Sequence, residues 1–129
     1  MGLIDDIANH LESSLSLFTT FKIDVLSKED NALTLRRYQS GSSLWFFDDT
    51  RDDTLGIQVL SRNLNQSTAV NTLETIVNFL VNLKANGLPN DGSYEFISCN
   101  VYINPVIVEK TDRNAYLYSA LLQIIINRN

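Results

Sequence analysis

Ala115-Tyr116-Leu117-Tyr118-Ser119-Ala120-Leu121-Leu122-Gln123-Ile124-Ile125-Ile126-Asn127 is the stretch whose reading decides the fold. Apolar side chains stand at both odd and even positions, and in a strand successive side chains point to opposite faces. If Tyr116, Tyr118, Leu122, Ile124 and Ile126 face one way, Leu117, Leu121 and Ile125 face the other. Removing one such aliphatic side chain from water is worth roughly 1.5–3 kcal/mol. The sequence therefore predicts a strand covered on both faces, by helices of its own chain on one and by further protein on the other.

Working back from that strand, the polar break Lys110-Thr111-Asp112-Arg113-Asn114 separates it from a second apolar run that begins at Tyr94. Asn104-Pro105 is expected to interrupt this second run, because proline cannot donate to a strand ladder. Asn90-Asp91-Gly92 ahead of it is a turn signal. Earlier still, Ala69, Leu73, Ile76, Val77, Leu80 and Leu83 recur at helical spacing, with Asn71, Glu74, Thr75, Asn78 and Asn82 opposite. Asn65 and Ser67 are the strongest N-cap candidates for that helix. Gly87 is the expected residue just beyond its C-terminus, and Pro89 prevents its resumption.

The first half of the chain reads the same way. Leu3, Ile4, Ile7, Leu11, Leu15 and Phe18 form the apolar stripe of an amphipathic helix of about four turns, with Asp5 and Asp6 at its positive end. The period then changes to two at Phe21, Ile23 and Val25. Lys28 to Asn31 supplies a turn, and Leu33 and Leu35 continue the alternation on a returning strand. Gly41-Ser42-Ser43 breaks the pattern before Leu44-Trp45-Phe46-Phe47, which is apolar on both faces like the closing strand. The acidic run Asp48-Asp49-Thr50-Arg51-Asp52-Asp53 reads as a solvated hairpin loop leading into Leu55, Ile57 and Val59. The expected fold class is α+β in one domain spanning residues 1–129. A mixed or mostly antiparallel sheet of four to six strands carries two amphipathic helices packed on one face.

Composition narrows the function classes. The formal net charge is -5, from 15 acidic and 10 basic residues, which opposes free or sequence-specific nucleic-acid binding. Arg36-Arg37 is the only adjacent basic pair, and on a strand its members point to opposite faces. The start of the chain lacks the positive region of a signal peptide, and no segment reaches the length of a membrane span. With a single cysteine, Cys99, no disulfide forms within the chain. These features predict a soluble intracellular product with no membrane partner.

Little in the sequence carries chemistry. His10 stands alone on the first helix, and one histidine without a second ligand cluster defines no zinc site. Cys99 alternates with Ile97 and Val101, which places it on their face, in the core. Asp48, Asp49, Asp52 and Asp53 lack the central glycine and terminal glutamate of a calcium loop. A solvated loop, a charged surface facing a neighbouring subunit or channel, and a metal site are its three readings. A small hydrolase or nuclease built on these aspartates would need a divalent metal. No phosphate-binding glycine loop or nucleophile motif occurs. The expectation is a non-catalytic protein with no cofactor and no metal.

The order of elements resembles the tail terminator, or tail completion, proteins of long-tailed bacteriophages, known in some phages as minor capsid proteins. The resemblance rests on linked features rather than one motif. A strand, Leu55-Gly-Ile-Gln-Val-Leu-Ser-Arg62, enters a helix containing Ala69 and Leu73-Glu-Thr-Ile-Val-Asn-Phe-Leu80. A strand ending near Pro105, a turn containing Asp112 and a closing strand with Tyr116 and Tyr118 follow. The extended acidic segment departs from the family pattern, and a related neck or head-completion protein, or another non-catalytic self-associating module, is the alternative.

The resemblance implies a structural virion protein of the tail or neck, assembled in the host cytoplasm. It implies a homo-oligomer, a hexameric ring, that caps the tail tube, ends tail polymerisation and joins the head connector. Its partners would be the tail-tube protein and the head-connector protein, with DNA passing through the lumen. On this reading Leu44, Trp45, Phe47, Tyr116, Leu117, Tyr118, Leu121 and Ile125 are candidate subunit-interface residues. Asp48, Asp49, Asp52 and Asp53 form a candidate lumen-facing acidic loop that repels phosphate.

Overall fold

The computed structural model describes residues 3–24, 29–38, 43–45, 51–90 and 92–128. Their order is α1 (Leu3–Ser14), β1 (Phe21–Ile23), β2 (Ala32–Tyr38), β3 (Ser43–Trp45), β4 (Arg51–Asn63), α2 (Gln66–Val81), β5 (Glu95–Lys110) and β6 (Tyr116–Arg128). The strands make one sheet in the order β1-β2-β4-β6-β5, and β3 pairs with the start of β4. The closing strand is central. It runs antiparallel to β4 from Arg51↔Arg128 to Asn63↔Tyr116 without a register shift, and antiparallel to β5 on its other side.

Both helices cover one face. α1 lies against β1 and β2, whereas α2 lies against β4, β6 and β5. The side chains beneath them follow the strand alternation: Leu33 and Leu35, Ile57 and Val59, then Tyr118, Ala120, Leu122, Ile124 and Ile126, all buried. Against these pack Ile7 and Leu11 of α1 and Leu73, Ile76 and Leu80 of α2, each fully buried. The fold class expected from the sequence is the one observed.

Local chemistry fixes the helix boundaries, and two differ from expectation. Asn65 is the N-cap of α2, its Oδ1 accepting from Thr68 N at 3.0 Å. That helix ends at Val81 with Asn82 as its cap, several residues before Gly87. Asn86 then adopts a left-handed φ of 61° and donates its N–H to Phe96 O at 2.6 Å, tying the connection onto β5. α1 ends at Ser14 rather than continuing to Phe18. Leu15, Leu17 and Phe18 instead pack part-buried against the core from an irregular segment. Glu12 holds that segment's far end, its Oε1 accepting from Phe21 N at 3.0 Å.

Three strand expectations also change. β2 does not return along β1; the two are parallel, with Phe21↔Leu33 and Ile23↔Leu35. Asp24, at φ 61° and donating its N–H to Leu35 O at 2.8 Å, follows the last residue of β1. Val25 lies outside the described residues. β5 passes through Asn104-Pro105 without ending, because it is the edge strand and the missing N–H of Pro105 can face outward. Four register shifts against β6 interrupt it, one of them spanning Ile103 to Val106. Arg51, Asp52 and Asp53 belong to β4 rather than to a loop, pairing with Trp45, Leu44 and Ser43 of β3.

Candidate subunit interface

The sheet face away from the helices is closed in part by its own polar side chains. Arg36 Nε donates to Gln58 Oε1 at 2.6 Å, and Gln58 Nε2 donates to Ser119 Oγ at 2.9 Å, a chain that crosses β2, β4 and β6. Arg62 lies beside Ala32 and Leu117 in the register, and its Nη1 donates to the carbonyl of Glu29 at 3.0 Å. Long polar side chains thus interleave with Thr34, Leu60 and Leu117, all buried. Leu121 and Ile125 are half-buried on the same face.

The residues singled out from the sequence fall in different environments. Tyr118 is buried on the helix face, its hydroxyl accepting from Gln66 Nε2 at 2.9 Å. Leu117 is buried on the opposite face, and Tyr116 is half-buried with Lys110 Nζ 5.4 Å from its ring centroid. Leu44 and Trp45 are in β3, opposite Asp52 and Arg51. Phe47, Asp48 and Asp49 lie outside the described residues. Asp53 is buried, and Asp52 pairs with Asn127 on the other side of β4. β3 pairs antiparallel with the start of β4, and residues 46–50 between them lie outside the described residues.

Exposed apolar surface gathers instead on β5. Val101, Tyr102, Ile103, Val106, Ile107 and Val108 all belong to it, and among the described residues only Leu64 and Val81 join them as exposed large hydrophobics. Tyr102 is 62% exposed and Val108 54%. The signal that could have located them was already in the sequence. From Phe96 to Val108 there is no charged residue, and Pro105 within an apolar run marks an edge strand.

Catalytic features do not gather around any of these elements. Cys99 is buried, and burial pushes its thiol up to about 12, so it stays protonated and unreactive near neutrality. His10 packs against Phe79, ring centroids 5.3 Å apart. Among the described residues no group of three or more His, Cys, Asp or Glu side chains is placed to hold a metal ion. No helix among them is long and apolar enough to cross a membrane.

The family described as bacteriophage tail terminator protein matches residues 7–128. The chain belongs to that family. The match begins within α1 and takes in every later element, including the uncharged edge strand and the closing strand. No curated protein matches the chain. Tail terminator membership gives the chain a place in the assembly of a phage tail and is consistent with a structural, non-enzymatic role.

Proposed function

We propose that residues 1–129 act as one domain that assembles into a ring, a hexamer, on the end of the phage tail tube. The ring ends tube polymerisation and presents a surface to the head connector, and DNA passes through its lumen. The family match over residues 7–128 carries this reading. The uncharged apolar edge strand on an otherwise acidic protein supports self-association, since bare apolar surface of this extent marks interaction sites. The net charge of -5 suits a lumen that DNA slides through rather than adheres to.

The test mixes the purified protein with growing tubes of its phage's tail-tube protein and images them by negative stain. A ring at the tube end, together with arrested lengthening, is the expected result. Tubes that continue to lengthen with bare ends would refute the proposal.

A further inference from the structure

The ring proposed above needs a head-to-tail contact, in which two different patches of the same chain meet. The sheet offers such a pair at its opposite edges. β5 is the last strand on one side, and β1 is the last on the other among the described strands. Beside β1, the segment between α1 and β1 leaves an open groove of about 520 Å³ lined by Glu12, Leu15, Ser16, Leu17, Thr19 and Thr20. Its only charged side chain, Glu12, already accepts a hydrogen bond from Phe21 N.

We propose that β5 of one copy docks into the α1–β1 groove of the next copy. This rests on the ring reading and assigns its subunit contact. Three observations select a second copy as the occupant. The first is charge. Two copies that each carry -5 repel over most orientations, yet Phe96 to Val108 holds no charge and the groove almost none. These are surfaces through which like-charged copies can meet.

The second is area. Six large apolar side chains at about half exposure present on the order of 500 Å². With flanking residues, that is enough for the core of a standard interface of roughly 800 Å² per partner. The third is order. The arm is held in shape before docking by the turn at its tip, where Thr111 N donates to Ala115 O at 2.7 Å and Asn114 takes a φ of 64°. Arg113 Nε at the tip also lies 3.1 Å from Asp30 Oδ1 ahead of β2, an exposed pair that adds little. A preformed arm loses little freedom on binding.

The register shifts in β5 direct the contact to side chains. Val101, Tyr102 and Ile103 are consecutive and all exposed, as are Val106, Ile107 and Val108, so the strand is open on both faces. A groove that receives the strand fits this better than a flat surface does. Because donor and acceptor patches lie on opposite edges, one copy can use both at once.

Disulfide trapping tests the contact. The double variant Ile107→Cys/Ser16→Cys is assembled on tail-tube ends and treated with a mild oxidant, and the products are run on non-reducing gels. Native Cys99, buried and protonated, contributes no background. A ladder of covalent multimers in the double variant, absent from either single variant, is expected. Covalent dimers from Ile107→Cys alone would place β5 against β5 and overturn the assignment. Visible rings without cross-links would overturn it while leaving the ring reading intact. Absence of rings with the wild-type chain would remove both. As a second measure, Ile107→Lys should weaken subunit association at least tenfold without lowering the melting temperature; unchanged association would also refute the contact.

Discussion

Replacing Tyr94 with phenylalanine removes one oxygen atom and leaves the ring in place. That oxygen donates to Asp6 Oδ2 at 2.6 Å, joining the residue just before β5 to the first turn of α1, 88 positions earlier. Tyr94 is 6% exposed and Asp6 5%, so water cannot readily take the donor's place. A hydrogen bond to a charged group contributes about 1.5–3 kcal/mol, and leaving a buried acceptor without its donor costs at the upper end of that range. For a chain of 129 residues, an unfolding entropy of roughly 2.1 cal/mol/K per residue converts this to a melting temperature lower by about 5–11 °C. Scanning calorimetry of Y94F at pH 7 measures it. A cycle with D6N isolates the pair, and a coupling of at least 1 kcal/mol is expected for a contact this short, on the order found for buried partners. A melting temperature within about 1 °C of wild type, or additive single effects, would show that the contact does not hold the α1–β5 junction.

Two further predictions concern other elements. Asn65→Ala removes the acceptor for Thr68 N and should lower stability by about 1 kcal/mol in urea unfolding, whereas Asn65→Asp should retain most of it. Cys99 holds its proton up to about 12 in the folded chain against 9.0 for the free thiol, so folding is unaffected below pH 9 and loses stability as pH rises from about 9 toward 12. Equilibrium unfolding of wild type and Cys99→Ala across that range checks the sign, and the alanine variant should lack this part of the slope.

Much of the architecture was legible because the decisive patterns were local. The stripe from Ala69 to Leu80 and the cap at Asn65 define α2, and the alternation of Tyr118 to Ile126 against Leu117, Leu121 and Ile125 gives the two faces of β6. The parallel pairing of β1 with β2 was not legible. Three residues of alternation specify a strand but not its direction, and the pairing of β1 with β2 is a contact the alternation does not encode.

The surface was harder to read for a physical reason. Hydrophobicity records that a side chain gains by leaving water, not which partner removes it. Ile124 and Ile107 are identical on that scale, yet one is buried on the helix face and the other faces outward. What separates them is position in the sheet, centre against edge, and that follows only once β6 is seen between β4 and β5.

The irregular backbone of β5 also bears on how such a chain waits for its partners. An uncharged, β-branched edge strand is the kind of segment that recruits further strands and seeds fibrils, which grow by stacking identical, evenly spaced ladders. Four register shifts and Pro105 deny β5 that even spacing. Its side chains stay available to a shaped site while its main chain is a poor template for copying. An oily surface can thus remain open until assembly without making the free protein a nucleus for aggregation.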